Sequence, residues 1–132
     1  MFLQFTEACR DPRTIKTHLP FSLLAKDLLD TCKVVYVIRN LKDVVTSYHH
    51  HSRLLKQHGF VGTLDSFVDH FVNDKLLYGP FWTHAKEAWD KRDHRNLHFM
   101  FYEDMIENPK GEIMKLQKFL GTNLTDKQID DV

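Results

Sequence analysis

Two short runs constrain this chain more than anything else in it. Lys33-Val34-Val35-Tyr36-Val37-Ile38 and Leu97-His98-Phe99-Met100-Phe101-Tyr102 are almost unbroken in β-branched, aromatic and aliphatic residues. A strand apolar on both faces belongs in a sheet covered on both sides, usually a parallel one. A third run, Arg13-Thr14-Ile15-Lys16-Thr17-His18, is β-branched and alternating and is closed by Pro20, so it too reads as a strand.

The intervening segments carry helical periodicity. Phe21, Leu24 and Leu28 recur at spacings of three and four, and Val44, Tyr48, Ser52 and Leu55 follow a row close to fourfold. Leu64, Phe67, Val68, Phe71 and Val72 form an apolar stripe behind Thr63, an N-cap residue type. Phe81, Trp82, Ala85, Ala88 and Trp89 form another behind Gly79-Pro80. Asn108-Pro109 opens a further helix, with proline where its missing N–H does no harm, and Gly121 ends it. Thr125-Asp126-Lys127-Gln128 has capping-box spacing and announces one more, which the chain barely enters before Val132. The expectation is an α/β fold, a partial parallel sheet of about three strands flanked by helices and joined by right-handed crossovers. The unfinished last helix suggests a portion of a larger domain; a short C-terminal helix is the alternative.

Composition narrows the function classes. The 132 residues hold 18 Lys+Arg against 18 Asp+Glu, so neither a strongly basic nucleic-acid binder nor an acidic tail is expected. Two cysteines, Cys9 and Cys32, make neither a disulfide framework nor a CxxC pair. No run approaches a membrane span and the N-terminus lacks a signal-like start, so the expectation is a reduced, cytoplasmic chain with no membrane partner. There are no repeats or flexible linkers and no sign of a second domain.

Three places could carry chemistry. Lys16 and His18, at i and i+2 of a strand, would project from one face close to the strand's carboxyl end, where open parallel sheets bind ligands. A histidine there can accept a hydroxyl proton at neutral pH; the alternative is a plain surface residue. Arg39 ends the second run and the following residues start a helix, whose first N–H groups favour anions. Arg39 could grip a phosphate bidentately, and Ser47, about two turns on, returns to nearly the same azimuth, so its hydroxyl could reach a second phosphate oxygen; the alternative is an Arg39–Asp43 surface pair. Tyr102 closes the third run at the same sheet edge and could pack on a nucleobase or sit as a core residue with its hydroxyl at the rim. His49-His50-His51 resembles a metal cluster, but consecutive helical side chains diverge by about 100°, so no metal site is expected. No GxxxxGK[ST], GxGxxG or GxSxG occurs.

Taken in order, Arg13-Thr-Ile-Lys-Thr-His-Leu-Pro20, Lys33-Val-Val-Tyr-Val-Ile-Arg-Asn40 with Lys42-Asp43-Val44 and Ser47-Tyr48, Tyr78-Gly-Pro-Phe-Trp82 with His84, and Phe101-Tyr-Glu-Asp-Met105 with Asn108-Pro109 resemble the cytosolic sulfotransferases. The resemblance runs across nearly the whole chain. It implies a P-loop-like fold and an enzyme that moves a sulfuryl group from 3′-phosphoadenosine 5′-phosphosulfate (PAPS) to a hydroxyl or amine of a small acceptor. By that resemblance His18 matches the catalytic base and Lys16 a lysine near the reacting centre. Arg39 and Ser47 match the pair holding the cofactor's 3′-phosphate, and Tyr102 a tyrosine on the adenine side.

Two blocks of that family have no match here: a Tyr-Pro-Lys-Ser-Gly-Thr-Thr-Trp loop for the 5′-phosphosulfate and an Arg-Lys-Gly-x-x-Gly block that completes the 3′-phosphate site. The resemblance therefore implies that residues 1–132 form a single partial sulfotransferase domain, weakly active or inactive alone. The alternative is a non-catalytic truncated product that binds a 3′-phosphoadenosine nucleotide or a partner protein. His49-His50-His51 stands where the family commonly has aromatic residues on the acceptor side. The acceptor and the oligomeric state stay open.

Overall fold

The computed structural model describes residues 10–56 and 58–131. Its centre is a two-stranded parallel sheet, β1 (Val34–Ile38) and β2 (Leu97–Phe101), paired in register from Val34↔Leu97 to Ile38↔Phe101. A short 3-10 turn (Phe21–Leu23) and α1 (Leu28–Thr31) precede β1. The crossover between the strands holds α2 (Leu41–Leu54), α3 (Leu64–Val72) and α4 (Phe81–Trp89). After β2 come α5 (Tyr102–Glu107), α6 (Pro109–Leu120) and α7 (Asp126–Asp130).

The local signals work where they are chemical. Thr63 caps α3 by accepting the Ser66 N–H, and Asn108 caps α6 by accepting from Gly111. Gly121 closes α6 with φ +78°, a left-handed conformation that glycine adopts without cost. Thr125 and Gln128 form both halves of a capping box at α7. The Lys33 ammonium reaches across from the start of β1 and donates to the carbonyls of Phe119 (2.8 Å) and Leu120 (2.9 Å). It thereby satisfies acceptors that the end of α6 leaves without helical partners.

The core is small. Phe67 is fully buried, and Ala85, Ala88, Leu97, Met100 and Ile129 are buried with it. Phe67 of α3 meets Tyr48 of α2 edge-on at 5.3 Å and Phe60 at 5.0 Å, which locks α3 onto α2.

Three expectations need correction. Residues 13–18 carry no regular secondary structure, so among the described residues the sheet has two strands rather than three. β-branched alternation suits a strand, but only a ladder partner makes one, and alternation says nothing about the partner. The Phe21–Leu24–Leu28 spacing yields two separate short turns, because Leu24 adopts extended backbone and ends the first. Lastly, β1 is not covered on both faces by the described residues. Its burial alternates, with Val34, Tyr36 and Ile38 half-buried and Val35 and Val37 exposed.

Candidate active site

A cleft of about 660 Å³ lies along β1 and past its carboxyl end. Lys16, His18, Arg39, Ser47, Tyr78 and His84 are among the residues that line it. It thus sits where open parallel sheets bind ligands, beyond the strand tips.

One end is built on Arg39, the residue after β1. Its guanidinium lies over the ring of Tyr102, 4.4 Å from the centroid, a cation–π geometry. Asp43, one turn into α2, stands 3.8 Å from Nη2, the partner foreseen as the alternative to anion binding. That contact is at the outer limit of an ion pair and leaves Nε buried with no hydrogen-bond partner. A buried donor without an acceptor is costly, and the residue that carries it lines the cleft. Asn40 fixes the turn from both sides. Its side chain accepts the Lys42 N–H (2.9 Å), and its own N–H donates to the Glu103 carboxylate (2.8 Å). Glu103 is held below the usual carboxylate range by that Asn40 hydrogen bond first, then by its own amide, with a further contribution from the Arg39 charge. Ser47 lies on α2, two turns from its start; its hydroxyl has no side-chain hydrogen bond among the described residues.

The other end is built on His18. Its imidazole stacks on Tyr78 at 4.8 Å with a 30° interplanar angle. Neither ring nitrogen has a protein partner among the described residues. Burial pushes the His18 pKa down from 6.5, and the charge of Lys16 pushes it the same way. An imidazole held neutral at physiological pH is a base available for a proton. Lys16 lines the same cleft and has no ion-pair partner among the described residues.

Residues 13–18 form no strand, so Lys16 and His18 do not share a strand face. The two nevertheless reach one cleft. Tyr102 is not the last residue of β2 but the first of α5, and that places it beside Arg39. Tyr36, Glu103 and the contact roles of Tyr78 and His84 were not foreseen. For Tyr78 and His84 the signal was present in the Tyr78–His84 block but carried no role. The histidine triplet diverges: His49 is buried against Phe60 and Phe67, His50 is exposed, and His51 turns toward His58 and the cleft.

A parallel α/β sheet thus carries a guanidinium stacked on an aromatic ring just past its strand tips, and His18 lines the same cleft as that guanidinium. Comparison with known proteins makes the class specific. Residues 4–132 match the family model described as a sulfotransferase domain. The chain is 48% identical over 120 residues to sulfotransferase 1A1 of Mus musculus, and 44% identical over 131 residues to that of Rattus norvegicus. These alignments cover 90% and 98% of this chain but 41% and 45% of the relatives, so the chain spans about two fifths of the curated proteins it matches. Among solved structures, a retinol dehydratase in complex with androsterone and the inactive cofactor PAP superposes with a TM-score of 0.88 at 36% identity. That match covers 97% of this chain and 38% of the other. A mouse sulfotransferase, SULT7A1, complexed with PAP gives a TM-score of 0.90 at 26% identity, covering 97% of this chain and 46% of the other. This chain belongs to the sulfotransferase family. Among the described residues no helix is long and apolar enough to cross a membrane.

Proposed function

We propose that these residues form the acceptor side and the 3′-phosphate side of a sulfotransferase site, which moves a sulfuryl group from PAPS to a hydroxyl or amine of a small acceptor. The observation that carries the reading is the Arg39–Tyr102 stack with its buried, unpartnered Nε, at one end of a cleft whose other end holds a neutral His18. The donor set suits the group: a guanidinium and a free hydroxyl, Ser47, for phosphate oxygens, and a ring face for adenine.

When bound, PAPS supplies the sulfuryl group and a phosphate leaving group. In this reading Arg39 and Ser47 hold the 3′-phosphate, and Tyr102 flanks the adenine while keeping the guanidinium in place. His18 takes the acceptor's proton on an imidazole nitrogen as its oxygen or nitrogen becomes the nucleophile. Lys16, beside it, depresses the histidine pKa and adds positive charge where negative charge gathers. The acceptor is a small molecule that fits against the Phe21, Phe71, Tyr78 and Phe81 walls of the cleft. The retinol dehydratase is a precedent for such a ligand, having been solved with androsterone.

Because the lysine-bearing phosphosulfate loop is not among these 132 residues, the decisive experiment is binding rather than turnover. Isothermal calorimetry with PAP should detect binding to the wild type and a loss of about tenfold or more in Arg39→Ala, as expected for one charge-assisted hydrogen bond of roughly 1.5–3 kcal/mol. Equal affinity in both proteins would remove the 3′-phosphate assignment. No binding by either would leave a partner-protein role as the better reading.

A further inference from the structure

Among the described residues, few hydrogen bonds hold the segment that carries His18. Residues 14–18 belong to no strand or helix. Within the segment, the Leu19 N–H turns back to the Thr17 hydroxyl at 3.1 Å. From outside it, one hydrogen bond among the described residues reaches this main chain: His84 Nε2 lies 3.2 Å from the His18 carbonyl oxygen. A carbonyl can only accept, so Nε2 carries the proton. In the neutral ring Nδ1 is then an acceptor, and it lies 2.8 Å from the Tyr36 hydroxyl, which donates to it.

Tyr36 is itself well anchored. It sits in the middle of β1, its ring stacks on Phe99 of β2 at 5.3 Å and faces Phe21 at 6.5 Å. Burial, aided by the charge of Glu87, pushes its phenol up to about 12, so the hydroxyl keeps its proton at any physiological pH. His84 stands one turn into α4, its ring 5.5 Å from that of Tyr36. A continuous line of hydrogen bonds therefore runs from the sheet, through α4, to the backbone of the residue whose imidazole faces the cleft.

We propose that His84, oriented by Tyr36, is the positioning residue for His18: its Nε2–H holds the His18 carbonyl, and that fixes the approach of the imidazole to the acceptor. This rests on the reading of His18 as the base. The physical need is plain, because a base must stand within hydrogen-bond reach of the proton it takes, and a displacement of about 1 Å can cost on the order of a hundredfold in rate. A sheet ladder would ordinarily give that precision. Here the Tyr36–His84 pair stands in for it, and the Tyr78 ring sets the remaining freedom, the rotation of the imidazole.

The test reads His18 directly by NMR on the isotopically labelled chain. His84→Leu should weaken the His18–Tyr78 ring-to-ring cross-peaks and shift the Thr17, His18 and Leu19 amides. The open-to-held ratio of the segment should rise about fivefold, the value of one hydrogen bond. His84→Gln, which can return an N–H donor to the same carbonyl, should restore much of the effect. A general packing role would not show this rescue. Tyr36→Phe keeps the ring stack and removes only the hydroxyl, so it serves if the leucine variant fails to fold, and it should move the same three amides. Unchanged cross-peaks and amides in a folded His84→Leu or Tyr36→Phe protein would overturn the proposal, as would a glutamine variant indistinguishable from leucine. The PAP titration fails or succeeds separately. A held His18 without PAP binding would sink the transfer reading alone, and PAP binding with an unmoved His18 would sink this one alone.

Discussion

The guanidinium of Arg39 and the ring of Tyr102 are in face contact at 4.4 Å, although 62 residues of chain separate them. Arg39 follows β1 and Tyr102 follows β2, and the two strands end opposite each other at Ile38 and Phe101. Parallel pairing alone thus sets a cation on an aromatic face at the rim of the cleft. The Nε of that guanidinium is buried and has no hydrogen-bond partner among the described residues.

The aromatic face, not the hydroxyl, should matter for nucleotide affinity. Tyr102→Phe keeps the face and should hold PAP affinity within about threefold. Tyr102→Leu loses the cation–π contact and should weaken PAP by roughly tenfold. Calorimetry decides it, and a leucine variant that binds as well as wild type would place the adenine elsewhere.

His18 should titrate with a midpoint below 6.5 in a proton NMR series, because burial and the Lys16 charge disfavour its charged form. Lys16→Gln should raise the midpoint without restoring 6.5, since burial is the larger cause and remains. If His18 is the base, sulfation by a complete enzyme falls as pH drops through that midpoint, and Lys16→Gln moves the fall to higher pH. A wild-type midpoint at or above 6.5 would contradict the environment described for this ring.

Glu103 links pH to stability through the turn after β1. Its folded pKa lies below the ordinary 4.5, so its contribution is fully present above that value and is lost as pH falls through the lower folded one. Urea midpoints of wild type and Glu103→Gln should therefore differ most near neutrality and converge in acid. A constant gap across pH would mean the carboxylate charge is not what holds the Asn40 N–H.

Phe67 carries the packing of α3 on α2. Phe67→Ala should destabilise the chain by about 3–5 kcal/mol, a large share of the whole stability of a small domain. Urea unfolding followed by circular dichroism measures it. A change under about 1 kcal/mol would mean the cleft end of α2 is held by something other than the Tyr48–Phe67–Phe60 cluster.

What the sequence made readable was what depends on near neighbours. Thr63, Asn108-Pro109, Gly121 and the Thr125–Gln128 box act within one turn, and each sits at the helix end its chemistry demands. The strand assigned to Arg13–His18 needed knowledge of a distant partner, and none is paired with it among the described residues. The site followed the same divide. Lys16, His18, Arg39 and Ser47 were singled out from local pattern and family resemblance, and all four line one cleft. Tyr36 reads from sequence only as a strand residue, and His84 only as part of the Tyr78–His84 block. Nothing within either segment announces that Tyr36, His84 and His18 meet. Tyr102 was read one element too early, since a run of aromatic residues does not mark where pairing stops and α5 begins.

The stepwise match of Val34–Ile38 with Leu97–Phe101 has a consequence for how such chains tolerate insertions and deletions. Residues added within the loops of the crossover leave the Arg39–Tyr102 contact intact, since neither loop length enters into it. One residue added inside either strand would shift the tip by about 3.3 Å and turn the next side chain to the opposite face. Length variation is therefore free in the connection and forbidden in ten residues of ladder.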